Sequence, residues 1–299
     1  MRTIIICGAT ATGKSDLAVA LAKEIDAEIV NADSMQVYEG MDIGTAKLSL
    51  AERGGIPHHL LDALTVRQDS TVAWYQDAAR TVIDQIHQRG KDAIIVGGTG
   101  LYIKAIVDDL NFPDTDPVIR SRLELEAIEQ GAAVLFARLE KLDPAAALAI
   151  DRANTRRIVR ALEVIEITGQ PFTANLPREE SSRYPDAIHF GLSQDRESLD
   201  IRVSNRVDAM WEAGLVAEVE GLVVTGLREG VTAQKALGYA QVLQMMDGLL
   251  TSEQAREETK RVTRQYIRRQ DTWFSRDGRL HWLGHYENRL EKILTRINS

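Results

Sequence analysis

The feature that most constrains this chain is a phosphate-binding loop motif close to its N-terminus. Residues 8–15 read Gly-Ala-Thr-Ala-Thr-Gly-Lys-Ser and match the pattern G-x-x-x-x-G-K-[ST]. The preceding residues 3–7 form a short apolar run with β-branched side chains, and residues 16–25 have the apolar spacing of a helix. Because the motif requires a strand before it and a helix after it, this context favours a phosphate site over a glycine turn with only a structural role.

In such a loop, successive backbone N–H groups point into one concavity and bind phosphate oxygens. The N-terminus of the following helix adds a partial positive charge. The lysine reaches the terminal phosphates, and the serine hydroxyl is a ligand for Mg²⁺. The motif predicts phosphate binding, but it does not by itself predict hydrolysis of ATP. The residues that we expect to hold phosphate are Gly8, Ala9, Thr10, Ala11, Thr12, Gly13, Lys14 and Ser15, with Ser15 as the metal ligand.

The composition narrows the classes of protein to which the chain can belong. Its 299 residues have an ordinary balance of apolar and charged side chains, which suits one large or two modest globular domains. No apolar stretch approaches the roughly 18 residues that a membrane-spanning helix needs. Cys7 is the only cysteine, so no internal disulfide can form. We therefore expect a cytoplasmic protein without membrane contact.

The net charge of −8 argues against non-specific binding of nucleic acid. A specific contact stays open, because residues 152–160 contain several arginines and no acid, and residues 260–269 are also basic. Each segment is either a nucleic-acid contact or a solvated helix face paired with nearby glutamates.

The order of elements predicts the fold. The apolar runs 3–7, 28–31 and 93–96 are typical of parallel strands, and the segment Val72–Gln88 is typical of a helix. Residues 116–176 have only helical periodicity, whereas 187–192 again indicate a strand. We therefore predict an α/β fold, with a P-loop NTPase-like parallel sheet core and an all-helical insertion domain. The core takes residues 1–114 and 186–299 with C-terminal helices, and the insertion takes residues 115–185.

Asp33 follows the end of the second predicted strand. In open α/β sheets, ligands bind beyond the carboxyl ends of the strands, so its carboxylate should face the same crevice as the phosphate loop. It is either a general base or hydrogen-bond acceptor for a nucleophile, or the residue of an Asx turn or helix N-cap. Position alone leaves both interpretations open.

Residues 97–100, Gly-Gly-Thr-Gly, follow the third predicted strand and allow a ligand to approach the backbone closely. Thr99 offers one hydroxyl there, although a plain strand-to-helix turn explains the glycines equally well. No aspartate stands at this strand end, which weighs against an ordinary ATPase or GTPase. Arg202 and Arg206 are four residues apart on a predicted helix. They form either part of a solvated face or a clamp for an anion. His58 and His59 should point to opposite faces of a strand and make a poor metal pair.

Several stretches together resemble the tRNA dimethylallyltransferase family, also called tRNA isopentenyltransferases, in its bacterial type. The most diagnostic are Asn-Ala-Asp-Ser-Met-Gln-Val-Tyr at 31–38 and Gly-Met-Asp-Ile-Gly-Thr-Ala-Lys at 40–47. The other matching stretches are the phosphate loop, Pro-His-His-Leu-Leu-Asp at 57–62, Gly-Gly-Thr-Gly-Leu-Tyr at 97–102, Asn-Thr-Arg-Arg-Ile-Val-Arg-Ala-Leu-Glu-Val at 154–164, Leu-Gly-Tyr at 237–239 and Arg-Gln-Asp-Thr-Trp at 269–273. The resemblance covers nearly the whole chain.

The resemblance implies a reaction in which dimethylallyl diphosphate alkylates the exocyclic amine of the adenosine 3′-adjacent to the anticodon, and diphosphate leaves. The phosphate loop then holds a leaving group, with Mg²⁺ as cofactor, and the partner is the tRNA anticodon stem-loop. It implies Asp33, Thr99 and Arg206 as catalytic residues, in a protein that we expect to be a monomer. The residues that it implies for tRNA contact are Asp33, Ser34, Met35, Gln36, Thr99, Arg122, Arg156, Arg157, Ile158, Val159, Arg160, Lys235, Gly238 and Tyr239.

One departure from the family is visible at Ala240, where relatives usually have a basic residue, so a phosphate contact there is not expected. The alternatives are an isopentenyltransferase that acts on free AMP or ADP, which would need no RNA-gripping insertion, and a small-molecule P-loop kinase. A nucleotide-dependent RNA-binding module without chemistry is a third alternative. The basic helix at 152–160 favours tRNA as the acceptor.

Overall fold

The structure is a computed structural model that describes residues 1–175 and 182–299. The chain divides into two compact units, one of Met1–Val107 with Tyr184–Ser299 and one of Asp108–Arg183. The smaller unit begins before the boundary at 115 that the sequence suggests. Asp108 pairs with Ser182 in an antiparallel bridge, and Arg160 donates to the carbonyls of Pro113 and Asp114. These contacts join the residues before 115 to the helical unit.

The larger unit contains a six-stranded sheet in which every pairing is parallel, in the order β3-β2-β4-β1-β5-β6. The strands are β1 (Thr3–Gly8), β2 (Glu28–Asn31), β3 (His58–His59), β4 (Ala93–Gly97), β5 (Ile188–Leu192) and β6 (His281–Leu283). Ile4 and Ile6 of β1 face one apolar cluster, whereas Ile5 and Cys7 face another. A strand buried on both faces needs apolar side chains at every position, which explains the unbroken run at 3–7.

The described residues contain twelve α-helices. They are α1 (Lys14–Ile25), α2 (Val72–Gln88), α3 (Gly100–Val107), α4 (Pro117–Gln130), α5 (Ala132–Leu142), α6 (Pro144–Ala149), α7 (Thr155–Thr168), α8 (Arg196–Glu212), α9 (Leu215–Val224), α10 (Tyr239–Met246), α11 (Ser252–Phe274) and α12 (Arg289–Ile297). Of these, α4 to α7 belong to the smaller unit. Across residues 1–175 and 182–299, none of the helices combines the length and apolarity needed to cross a membrane.

Helices cover both faces of the sheet. Side chains of α1 and α12 pack on one face and those of α2 and α3 pack on the other. A third apolar cluster joins α9 and α10 to the loop that follows β2, through Val37, Tyr38, Leu215 and Tyr239. The α/β class with a parallel sheet, predicted from the sequence, is confirmed.

The helical unit has its own core, built from Leu123, Leu135, Leu139 and Ile158 on α4, α5 and α7. Glu163 is fully buried within the same unit. Its carboxylate accepts from Arg120 at 2.7 Å and from Arg160 at 2.9 Å. A buried charge of this kind is tolerated only when its partners neutralise it, so the three side chains form one structural group.

Candidate active site

The phosphate-binding loop connects β1 to α1 at the centre of the sheet. Gly8 has a φ of +143°, and a Cβ on it would overlap the carbonyl of Leu192 on β5. Gly13 has a φ of +83°, in the left-handed region that favours glycine. The Thr12 hydroxyl donates to the Ala9 carbonyl at 2.9 Å and closes the loop. The two glycines of the motif therefore stand where the backbone requires them.

Two cations lie at this loop. The Lys14 ammonium donates to the Ala9 carbonyl at 2.6 Å, and burial lowers its pKa from 10.5 to about 8, although Asp33 opposes the shift. Arg206 of α8 donates to the Thr10 hydroxyl at 3.2 Å, and burial together with Arg202 lowers its pKa. In the described part of the chain, neither cation forms an ion pair. Both are consequently poised to bind an anion.

Asp33 follows the carboxyl end of β2. One of its carboxylate oxygens accepts from the Met35 N–H at 2.9 Å, so the Asx turn foreseen as the structural alternative does form. The Asn31 amide oxygen accepts from the Asp33 N–H at 3.0 Å and fixes the turn from the other side. Asp33 also lines both cavities described below. The turn therefore orients the carboxylate without removing it from the crevice.

Thr99 lies beyond the end of β4, beside Asp33. Its hydroxyl oxygen accepts from the Ser34 N–H at 3.1 Å, and it also hydrogen-bonds the phenol of Tyr266 on α11. Burial raises the pKa of Tyr266 to about 12, and nearby Asp33 adds to the shift. The phenol is therefore neutral near pH 7 and available as a hydrogen-bond donor.

Two adjoining cavities open at these strand ends. The first, of about 120 Å³, is lined by the phosphate loop from Thr10 to Asp16, by the strand ends and by His58. The second, of about 280 Å³, has apolar walls from Val203, Val207, Met210 and Leu237 beside a few polar groups. Four residues line both cavities and mark their junction: Thr10, Asp33, Thr45 and Arg206.

Gln270 of α11 holds two of the loops together; it lies in the matching stretch 269–273, but the resemblance assigned no role to it. Its buried amide accepts from the Thr10 N–H at 3.0 Å and donates to the Gly98 carbonyl at 2.8 Å. Arg289, at the start of α12, donates to the carbonyls of Thr12 and Ser193 at 2.8 Å and 2.7 Å. The phosphate loop is thus braced from two distant helices.

The residues that the resemblance assigned to tRNA contact lie in different parts of the structure. Ser34, Met35 and Lys235 line the second cavity and Gln36 lines the first. In the helical unit, Arg156 and Arg157 are exposed at the start of α7, and no ion pair to either is found among the described residues. Arg122 of α4 is exposed but pairs with Glu166 and Glu126. Arg160 donates to the buried carboxylate of Glu163.

Four of those residues are buried, so they present no side-chain surface to RNA. Ile158 and Val159 face the core of the helical unit, because the apolar stripe of an amphipathic helix must point inward. Tyr239 is fully buried and its hydroxyl donates to Glu218, and Gly238 is buried before it. A tRNA contact at these four positions stays a prediction, and it can use only their backbone.

The two histidines of 57–62 do not form a metal centre. His59 bonds to Glu28 at 2.7 Å, while His58 bonds to the Ile56 carbonyl at 2.8 Å. In the residues that the structure describes, no group of three or more His, Cys, Asp or Glu side chains is arranged to hold a metal ion.

Comparisons with known proteins agree on one family. A family model described as IPP transferase matches residues 36–277. The chain is similar to a tRNA dimethylallyltransferase of Thermobifida fusca, with 58% identity over 289 residues, covering 95% of this chain and 90% of the relative. It is also 55% identical over 283 residues to the tRNA dimethylallyltransferase of Streptomyces griseus subsp. griseus, with the same coverage of 95% and 90%.

Solved structures are similar over the full length. A tRNA isopentenylpyrophosphate transferase of Bacillus halodurans has a TM-score of 0.73 and 37% identity, covering 99% of this chain and 95% of that chain. A eukaryotic dimethylallyltransferase, described as acting on tRNA, has a TM-score of 0.83 and 26% identity, covering 100% of this chain and 79% of that chain.

Proposed function

The chain belongs to the IPP transferase family, and we propose that it transfers a dimethylallyl group from dimethylallyl diphosphate to tRNA. The acceptor is the exocyclic N6 amine of the adenosine on the 3′ side of the anticodon, and diphosphate is released. The observation that carries this proposal is the junction of the two cavities, which Asp33 and Arg206 both line, with Lys14 in the first cavity. Neither cation has an ion-pair partner among the described residues.

The chemistry assigns a task to each side of the junction. The N6–C1 bond forms as the C1–O bond of the donor breaks, and the diphosphate leaves with the electron pair. An adenine amine is a weak nucleophile, so Asp33 accepts a hydrogen bond from it, orients it and takes its proton. Lys14, Arg206 and the loop amides stabilise the negative charge that builds on the diphosphate.

The residues present fit a magnesium ion bound mostly by the donor. Mg²⁺ in phosphate sites commonly has one or two protein ligands and takes the rest from phosphate oxygens and water. Ser15 lies in the first cavity next to Lys14, which suits a single hydroxyl ligand. When bound, the ion would neutralise part of the charge of the diphosphate.

The acceptor adenine must leave its stack to reach Asp33, because its amine is not accessible in a stacked anticodon loop. Exposed Arg156 and Arg157 supply the phosphate contacts that position an RNA without reading its sequence. We propose that they grip the anticodon stem-loop. We also propose that the protein is a cytoplasmic monomer.

Two other functions explain less of the chain. Transfer to free AMP or ADP needs the phosphate loop and Asp33 but no exposed arginines on a separate helical unit. A small-molecule kinase gives no reason for the stretch at 31–47, and β4 ends without the acidic metal ligand that P-loop kinases and NTPases use.

The test is incubation with labelled dimethylallyl diphosphate and either unmodified tRNA or AMP. We expect label in tRNA alone, on the N6 of one adenosine after nuclease digestion. The matched variants Asp33→Asn and Asp33→Ala then separate the role of Asp33 in proton transfer from its role in the turn with Met35. Asparagine keeps an acceptor for the Met35 N–H but cannot take a proton, so both variants should transfer at least ~10²-fold more slowly. Near-normal turnover by Asp33→Asn would show that Asp33 does not take the proton. Label in AMP would show that tRNA is not the only acceptor.

A further inference from the structure

The diagnostic stretch at 40–47 has no role in the chemistry above. Residues 41–46, here called the strap, form turns and irregular backbone between β2 and β3. Thr45 of the strap lines both cavities, and Gly44 lines the second. The strap is therefore a wall of the site whose position has to be set by something other than a helix or strand.

Glu218 of α9 holds the strap through its backbone. Its carboxylate accepts from three successive N–H groups, those of Asp42 at 3.2 Å, Ile43 at 2.8 Å and Gly44 at 3.3 Å. Hydrogen bonds to an ionised acceptor are roughly twice as strong as neutral ones. Because three consecutive amides converge on one carboxylate, the direction of the strap is fixed and not only its distance from α9.

Tyr239, at the start of α10, contacts both Glu218 and the strap, and we call Glu218 and Tyr239 together the clamp. Its hydroxyl donates to Glu218 at 2.5 Å, and its fully buried ring lies against Gly44, where an added Cβ would overlap the ring. At the far end of the strap, the Gln36 amide donates to the Thr45 carbonyl at 3.0 Å. In this structure a side chain at position 44 is therefore excluded by the tyrosine ring, and Leu215 is also close.

We infer that Glu218 is a positioning residue for prenyl transfer, which with Tyr239 holds the strap so that Thr45 closes the junction beside Asp33. The inference rests on the proposed function. The junction is where the donor carbon and the acceptor amine must meet, and a displacement of about 1 Å there can cost ~10² in rate. The phosphate loop is braced separately by Gln270 and Arg289, so the strap should affect the transfer rate more than it affects the binding of the diphosphate.

The experiment compares Glu218→Gln with Glu220→Gln, an exposed acid on the same helix. The glutamine amide presents only one acceptor oxygen, so it cannot satisfy the three strap amides and the tyrosine hydroxyl together. Hydrogen exchange should become faster in the peptide spanning 41–46 of Glu218→Gln and stay unchanged in Glu220→Gln. Under single-turnover conditions with saturating donor and tRNA, the Glu218 variant should transfer at least ~10-fold more slowly. Its affinity for a thiolo analogue of dimethylallyl diphosphate should fall much less than its transfer rate.

Tyr239→Phe is the second variant, because it removes one hydroxyl and leaves the ring against Gly44. Tyr239→Phe should also speed hydrogen exchange at 41–46 and slow transfer, but both effects should be smaller than in Glu218→Gln. A folded Glu218→Gln protein with the wild-type transfer rate, or one that loses donor affinity as steeply as rate, overturns the inference. So does unchanged exchange at 41–46. If the wild type itself fails to modify tRNA, the proposed function fails instead, while the exchange measurement still reports on the clamp.

Discussion

Replacing the lysine of the phosphate loop should stabilise the protein while abolishing its activity. Burial lowers the pKa of Lys14 from 10.5 to about 8, so the folded chain carries its charge at a cost. At 1.36 kcal/mol for each pH unit, a drop of this size corresponds to at most about 3 kcal/mol at pH 7. Because the Lys14 side chain is only partly buried and lines a cavity, solvent screening reduces this cost, and we expect Lys14→Met to raise the free energy of unfolding by about 1–2 kcal/mol.

The sign of the pH dependence provides a second check. Below pH 8 the lysine is charged in both the folded and unfolded chains, and the full cost of burial is present. Between pH 8 and 10.5 the folded protein releases the proton first, so the wild type becomes more stable relative to the variant as pH rises. The gap between Lys14→Met and wild type should therefore narrow by more than half between pH 7 and pH 9.5.

The assay is urea unfolding followed by tryptophan fluorescence. All four tryptophans lie in the larger unit, so the signal reports the unit that contains Lys14. The Ala9 carbonyl keeps the Thr12 hydroxyl as a donor at 2.9 Å when the lysine is removed, which makes loss of that bond inexpensive. Lys23→Met, an exposed change on the same helix, is the control. A Lys14→Met protein that is less stable than wild type at pH 7, or a gap that does not narrow with pH, refutes the reasoning.

Three further outcomes are expected. Arg157→Ala should weaken tRNA binding and reduce the slope of log affinity against log salt by about 1, with donor binding unchanged; an unchanged slope would return α7 to a solvated face. Glu163→Ala leaves the guanidiniums of Arg120 and Arg160 without their shared carboxylate and should cost the helical unit about 3 kcal/mol. Far-UV circular dichroism should then show an early transition that tryptophan fluorescence does not follow, and a single coincident transition contradicts this. Gln270→Leu leaves the Thr10 N–H and Gly98 carbonyl without their bridge, at a cost of about 1–3 kcal/mol, and donor affinity measured by titration should fall; unchanged affinity removes Gln270 from the support of the loop.

The sequence predicted those elements that local periodicity determines. Helix α2 has the predicted bounds Val72–Gln88, because its amphipathic pattern starts directly after Thr71, whose side chain caps the first turn. The three loops at the strand ends meet as expected, since parallel strands place their carboxyl ends at one edge. Strand β3 is absent from the runs predicted as parallel strands, and His58 and His59 were only considered as strand residues, because two residues carry no measurable alternation.

The supporting residues of the site could not be found in the same way. Gln270 acts on residues 260 and 172 positions away, and Glu218 acts on a loop about 175 positions away. Neither relation leaves a local pattern in the chain. Motif matching placed Tyr239 with the RNA contacts because it lies in a diagnostic stretch, but a motif does not tell a ligand contact from a buried support.

The bond from Arg289 to the Thr12 carbonyl spans 277 positions of sequence, and it bears on how the enzyme comes into being. During synthesis the phosphate loop is made before α12, which carries its second brace. Contacts this remote form late, because the intervening polypeptide must first be drawn together. A nascent chain that ends before that arginine therefore lacks one of the two supports of the loop, and the loop reaches its final support only after α12 has been made.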